Sequence, residues 1–370
     1  MNFLLALDFE LGPALERAIR DAIDERSAFS VLDRRLSPRR RDEQLETLGA
    51  THVVHENGRM TRQLGRQVDS DVGLVMLTSG SSGDPKAVEL TWDALRASAE
   101  LTQSTLRVDG AAPVWFPCLP ACHIGGLAVL LRAILSDARL QWGDEDQIDS
   151  APSKGATHIA LVRPQLLRHD TSGYARVLLG GAKPPSALAQ NVIATWGMTE
   201  TGSGVVYDGT PLPGVDVASV NGELCVRTPT LFRSYRTSPR PHIVGPDGRD
   251  DWFPTGDGGD VNNGRVSVRG RIGSVINTGG EKLWPEELEA VVGRVPGVRD
   301  VAVTGVADSQ WGQRVVVLVV SNGTNVDGLI AGAAEEAIGP WAKPKEIRYV
   351  AAIPRTANGK IRRRELEHLH

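Results

Sequence analysis

The nine residues Thr78-Ser79-Gly80-Ser81-Ser82-Gly83-Asp84-Pro85-Lys86 carry four hydroxyls, two glycines and one lysine. They follow a short apolar run at 72–77. A loop of this composition exposes backbone N–H donors that can wrap phosphate oxygens, and the lysine adds positive charge. It is not a Walker loop. Asp84-Pro85 stands where that motif has its second glycine, and Ala87 replaces the hydroxyl residue that would hold magnesium. No Gly-x-Ser-x-Gly elbow joins a strand to a helix, so a Ser/His/Asp hydrolase has no support. Three cysteines, Cys118, Cys122 and Cys225, cannot build a disulfide framework. Cys118-x-x-x-Cys122 lacks a second pair, so free thiols are expected rather than a metal site.

Other residues gain meaning only together. Taken singly, Trp196 is a core aromatic, Thr199-Glu200 a polar pair, Asp257 a turn carboxylate, Arg271 half of a surface ion pair and Lys360 a solvated lysine. In order along the chain, however, they sit in segments that resemble the motifs of the adenylate-forming enzymes: acyl-CoA synthetases, peptide-synthetase adenylation domains and luciferases. Residues 78–86 resemble the phosphate loop. Pro120-Ala-Cys-His123-Ile-Gly-Gly resembles the segment whose histidine flanks the acyl pocket, and Gly180-Gly181-Ala182 the backbone strip beside adenine. Trp196-Gly197-Met-Thr199-Glu200 resembles the Tyr-Gly-x-Thr-Glu motif, and Thr255-Gly256-Asp257 the motif whose aspartate binds ribose. Arg269-Gly270-Arg271 with Asn277-Thr-Gly279-Gly280-Glu281-Lys282 resembles the interdomain motif, and Pro354 to Gly359-Lys360 the C-terminal lysine motif.

The resemblance implies ATP, Mg2+ and coenzyme A as cofactors and co-substrates. It implies that Thr78, Ser79, Gly80, Ser81, Ser82, Gly83 and Lys86 hold phosphates, with Gly180, Gly181, Ala182, Trp196, Gly197 and Thr199 around the nucleotide. Asp257 and Arg271 would bind it as well, Glu200 and Thr78 would ligate magnesium, and Gly279 and Gly280 would line a tunnel for the incoming thiol. Lys360, His123 and Lys86 would touch the reacting groups, with His123 and Gly197 also lining the acyl site. A carboxylate and MgATP would give an acyl-adenylate, which the thiol of coenzyme A then takes up. Two departures stand out. Gly273 occupies the hinge position where this family usually has an acidic residue or lysine, and only 77 residues precede Thr78, which implies a reduced N-terminal part.

Within the superfamily, residues 161–168 (Leu-Val-Arg-Pro-Gln-Leu-Leu-Arg), 177–182 and 199–215 resemble the o-succinylbenzoate–CoA ligases of menaquinone biosynthesis, particularly short actinobacterial forms. That acid has two carboxylates and only one is activated, so a cation is expected for the other. Arg168 is the first choice, with Gln165 on the same helical face, and Arg163 the second. Another aromatic or fatty acyl-CoA ligase is the enzymatic alternative, and an adenylate-binding protein without turnover the non-enzymatic one.

Elements of two kinds must position these residues. Strand-like runs at 72–77, 114–116, 158–162, 176–179 and 192–196 alternate with helical segments at 91–104, 126–135 and 164–169. Such alternation predicts an α/β domain with mainly parallel sheets, whose strand ends build the ligand site. Shorter strands follow at 223–227, 252–254 and 266–269, making a β-rich part. From about 271 the pattern becomes a small α+β unit with a basic tail helix, which the resemblance implies is mobile. The expected division is 1–271 for the adenylation domain and 272–370 for the C-terminal domain. Residues 1–70 are weakly patterned apart from a helix at 13–26, and Arg34, Arg35, Arg39, Arg40 and Arg41 read as a solvated basic face.

Lysine plus arginine (41) against aspartate plus glutamate (45) leaves a formal charge of −4, which argues against a nucleic-acid partner. The N-terminus lacks a basic stretch, and its apolar run is broken by acids at once. No apolar run approaches the ~18 residues of a membrane span. The partners expected are therefore small molecules, in a soluble cytoplasmic protein without membrane insertion, and a homodimer is the oligomer to test for.

Overall fold

The computed structural model describes residues 2–78, 85–108, 112–136, 138–181, 184–185, 187–323, 325–356, 359, 361–366 and 368–369. The chain divides into two compact units. The first comprises Met1–Gly180, Ala187–Val217 and Val226–Phe253, and the second Gly181–Ser186, Ala218–Cys225 and Pro254–His370. The expected boundary at 271/272 thus falls inside the second unit. The strands Phe253–Asn262 and Arg265–Arg271 pair antiparallel there, and helix Pro285–Val292 lies close to them. A side chain at Gly258 would overlap Trp284, and one at Gly270 would overlap Glu286.

The first unit holds two large sheets. In the eight-stranded one, Leu4–Asp8, Ala28–Val31, His52–His55 and Val72–Thr78 run parallel at the centre. Lys86–Thr91 and Ser234–Tyr235 then add antiparallel strands to one side. The weakly patterned segment before residue 70 is therefore half of a sheet. Its strands are only three to five residues long, and Ala28–Val31 is buried at every position. A strand buried on both faces shows no alternation, which is why its period is not visible in sequence. Helix Pro13–Asp24 matches expectation: Pro13 suits a first turn, and Leu15, Ile19 and Ala22 give it one buried face.

In the seven-stranded sheet, Val114–Phe116, His158–Val162, Arg176–Gly180 and Val192–Met198 are parallel. Ser203–Tyr207 and Thr210–Pro211 extend it antiparallel. Helices Trp92–Thr105 and Ile124–Leu135 supply apolar faces to a shared core of Phe29, Leu74, Leu90, Leu95, Leu127 and Phe232. Thr91 caps the first of these helices, its hydroxyl accepting from Ala94 N at 3.1 Å. The helix expected over 164–169 is a single turn, Arg163–Leu166.

The second unit has a core of Ile276, Leu288, Val292, Val303, Val317 and Ile330 between the long hairpin Val298–Asp308/Gly312–Ser321 and helices Pro285–Val292 and Asp327–Ala337. Gly279 (φ 60°) and Gly280 (φ 88°) form the two-residue turn joining Ile276–Thr278 to Glu281–Leu283. Two consecutive positive φ values suit glycine and little else. Among the described residues no helix is long and apolar enough to cross a membrane.

Candidate active site

Parallel strands of one sheet end on the same edge. The ends of Val114–Phe116, His158–Val162, Arg176–Gly180 and Val192–Met198 therefore deliver the segments bearing His123, Arg163, Gly180 and Thr199-Glu200 to one side of the seven-stranded sheet. Gly181 follows in the chain with φ 86°. Trp196 packs partly buried against the core, and the strand bulges between Trp196 and Gly197. A Cβ at Gly197 would overlap the Ser203 carbonyl oxygen and the Gly204 Cα, so the close approach requires glycine. Thr199-Glu200-Thr201 is a 3-10 turn, tied down by Thr201 Oγ1 donating to the Ser203 carbonyl at 2.7 Å.

On either side of residues 79–84, Val72–Thr78 and Lys86–Thr91 are antiparallel neighbours with Thr78 opposite Lys86. Thr78 Oγ1 donates to the Lys86 carbonyl at 3.4 Å. Ser79, Gly80, Ser81, Ser82 and Gly83 lie outside the described residues, as do Ala182 and Lys360. Lys86 is exposed, and its ammonium stands 5.0 Å from the centre of the Tyr235 ring. The Tyr235 hydroxyl donates to Glu200 Oε1 at 3.1 Å. Glu200 is also held through its carbonyl, which accepts from Phe232 N at 2.8 Å. Lys86 and Glu200 are thus brought together by a tyrosine that sequence reasoning did not single out. Tyr235 sits in a two-residue strand 35 positions beyond Glu200, and no spacing rule connects them.

Residues 37–236 match the AMP-binding enzyme family, and residues 287–360 match the AMP-binding enzyme C-terminal domain. The chain belongs to the AMP-binding enzyme family. It is 35% identical over 350 residues to a probable 2-succinylbenzoate–CoA ligase of Mycobacterium tuberculosis, covering 86% of this chain and 90% of that protein. It is 31% identical over 312 residues to the 2-succinylbenzoate–CoA ligase of Escherichia coli, covering 77% and 66%. Among solved structures, its fold is similar to that of o-succinylbenzoate CoA synthetase from Bacillus subtilis in complex with the acyl-adenylate intermediate OSB-AMP (TM-score 0.85, 21% identity, 100% and 88% covered). It is similar also to ATP-bound MatB of Rhodopseudomonas palustris (TM-score 0.84, 19% identity, 99% and 88% covered).

In this AMP-binding enzyme the neighbourhood of His123 differs from the sequence reading. Arg35, expected on a solvated face, donates through Nη2 to His123 Nε2 at 3.3 Å and contacts Cys122 Sγ at 3.5 Å. A guanidinium has no acceptor, so Nε2 accepts here. Arg35 is gripped by Asp33 through Nε and Nη2, each at 2.7 Å. Burial works to raise the Asp33 carboxyl, but hydrogen bonds and charge from Arg35 outweigh it and hold the group below its ordinary value. Asp33, Cys122 and His123 have metal-ligating atoms within 4.8 Å of one another. The guanidinium among them is already the cation, so a metal does not fit. Burial pushes the Cys118 and Cys122 thiols up to about 12, and neither is a nucleophile near neutral pH.

Gln165 is buried whereas Arg168 is exposed. The helix ends at Leu166, and the buried Gln165 turns back so that its Oε1 accepts from Val162 N at 3.3 Å. Arg168 stays exposed, pairing with Glu145 Oε1 at 2.6 Å, and Arg163 is exposed as well.

In the second unit, Asp257 is almost covered and its Oδ1 lies 2.9 Å from Arg271 Nε. Arg271 Nη1 also donates to the Thr255 carbonyl at 2.9 Å. The segment on either side of Lys360 is fastened twice. Arg355 Nη1 donates to the Gly359 carbonyl at 2.8 Å and its Nη2 to Asp300 at 2.7 Å. Arg363 reaches Glu286 at 2.8 Å, Glu289 at 2.7 Å and the Val303 carbonyl at 2.8 Å. Burial raises the Glu289 carboxyl, and the charge of Arg363 opposes that shift.

A hard divalent ion takes oxygen ligands. Glu200, half-buried, has no cationic partner among the described residues, and its Oε1 is held by a neutral hydroxyl. A carboxylate of this kind is chemically suited to magnesium.

Proposed function

We propose that this AMP-binding enzyme ligates o-succinylbenzoate to coenzyme A at the expense of ATP, in menaquinone biosynthesis. The reading is carried by a 35% identity that extends over 90% of a relative named for this activity. It is supported by the joining of Lys86, Tyr235 and Glu200 beside the phosphate loop.

In the first half-reaction a substrate carboxylate oxygen attacks the α-phosphorus of ATP, the bond to the bridging oxygen breaks, and pyrophosphate leaves. Lys360 stabilises charge developing on the carboxylate and phosphate oxygens. Thr78 to Gly83 and Lys86 hold the departing phosphates. Gly180, Gly181, Ala182, Trp196, Gly197 and Thr199 surround the nucleotide, with Asp257 and Arg271 on its ribose. Glu200 and Thr78 would hold magnesium, whose charge offsets that of the phosphates. In the second half-reaction the thiol of coenzyme A attacks the acyl carbon past Gly279 and Gly280, a proton is released and AMP departs. Residues 1–271 act as the adenylation domain and 272–370 as the mobile C-terminal domain. The enzyme works in the cytoplasm, and a homodimer is the oligomer to test for. The deciding experiment is a panel of carboxylic acids assayed for CoA-dependent AMP release, in which o-succinylbenzoate should lead.

Arg168 is assigned to the unreacted carboxylate, which would take the place of Glu145. Arg168→Ala should raise the KM for o-succinylbenzoate about tenfold or more, as loss of a charged hydrogen bond does, with the KM for ATP nearly unchanged. A monocarboxylate analogue, 4-phenyl-4-oxobutanoate, should suffer far less. Equal losses on both acids would remove Arg168 from this role.

Gly273 is assigned as the hinge. It is exposed, and a Cβ there would meet nothing within 4 Å, so substitution acts on backbone freedom rather than packing. Gly273→Pro fixes φ near −65°, and one half-reaction should be lost while the other stays near normal. Loss of neither, or of both equally in a folded protein, would count against the hinge.

A further inference from the structure

We infer that Tyr235 is a positioning residue for nucleotide binding, its hydroxyl setting the Glu200 carboxylate and its ring seating the Lys86 ammonium. The inference deepens the reading above and rests on Glu200 being a metal ligand. Three features carry it. The hydroxyl donates to Glu200 Oε1 at 3.1 Å, which fixes one carboxylate oxygen and leaves the other to a ligand. The same ring lies 5.0 Å from Lys86 Nζ, within the range of a cation–π contact. The ring itself is held by Phe232 at 4.8 Å between centroids and by the pairing of Tyr235 with Val88.

The arrangement solves a specific problem. A lysine and a glutamate on either side of a triphosphate site attract each other, and a direct ion pair would remove both from the ligand. A phenol between them gives each a neutral partner. The carboxylate receives an O–H, the ammonium faces the π-cloud, and both charges remain available for phosphate and cation. A salt bridge at the same place would have to be broken on every turnover.

The test uses the full chain, without acid or coenzyme A so that no turnover occurs, and measures ATP binding by calorimetry in Mg2+ and in EDTA. Tyr235→Phe removes only the hydroxyl. It should weaken binding in Mg2+ about tenfold, since a hydrogen bond to a charged group is lost, and leave binding in EDTA unchanged. Glu200→Gln should also weaken binding in Mg2+, and adding Tyr235→Phe to it should change nothing further, because the hydroxyl acts through that carboxylate. Tyr235→Leu should in addition weaken binding in EDTA about threefold by releasing Lys86. If Glu200→Gln weakens Mg2+-dependent binding and Tyr235→Phe does not, the inference about Tyr235 fails alone. If Glu200→Gln leaves binding in Mg2+ unchanged, the metal-site reading fails and takes the inference with it. Equal losses in Mg2+ and EDTA for Tyr235→Phe, with a lowered Tm, would show a merely structural ring and overturn the proposal.

Discussion

Lys360→Ala is expected to slow acyl-adenylate formation by about 10²- to 10³-fold, the cost of removing one preorganised charge from a developing oxyanion. The thioester step should be spared. In sequence Lys360 lies between two anchored arginines, Arg355 on the Gly359 carbonyl and Arg363 on Glu286 and Glu289. A reacting ammonium gains catalytic value when less ordering remains for the reaction itself to supply. The measurement is a pair of assays on the same variant: carboxylate-dependent ATP–pyrophosphate exchange, and turnover of preformed o-succinylbenzoyl-AMP with coenzyme A. Exchange should collapse while the second reaction stays near wild type. A variant equally dead in both would show that Lys360 is not confined to the first half-reaction.

Gly197→Ala is the second large effect expected. The strand bulge puts the Gly197 Cα against the Ser203 carbonyl and the Gly204 Cα, and a methyl group there would overlap both. Backbone cannot yield as a side-chain tip does, so Val192–Met198 or Ser203–Tyr207 must move. Overpacking of this kind costs about 1–3 kcal/mol. The displacement is passed directly to Trp196, Thr199 and Glu200, and a shift near 1 Å in positioned groups can cost about 10²-fold in rate. Thermal unfolding and kcat/KM should fall together. Wild-type values of both would mean that the bulge is not under steric constraint.

The legible part of the sequence consisted of strand ends and glycine loops. Thr78 to Lys86, Thr199-Glu200 and Gly279-Gly280 announce themselves because turn chemistry is local, and each is a run of adjacent residues. Arg35 and Tyr235 could not be read this way. Arg35 meets His123 across 88 positions, and its own neighbourhood is a run of arginines that resembles an ordinary solvated face. The N-terminal strands were hidden for another reason: they are short, and Ala28–Val31 is buried on both faces, so it lacks the alternation that marks a strand. Arg168 shows the opposite error. A three-residue spacing from Gln165 to Arg168 suggested one helical face, but Gln165 is buried on the single turn Arg163–Leu166 while Arg168, beyond its end, is exposed.

The double anchoring around Lys360 has a consequence for how this chain is made. Arg363 lies three positions beyond Lys360, and it supplies the positive partner of the deeply placed Glu289. A nascent chain that stops before residue 360 therefore leaves an acidic group in the interior of the second unit without its cation, and it lacks the lysine as well. Stability and competence are written into the same few codons. A prematurely released polypeptide is marked for quality control by the very omission that disables it, instead of persisting as a folded, nucleotide-sequestering decoy.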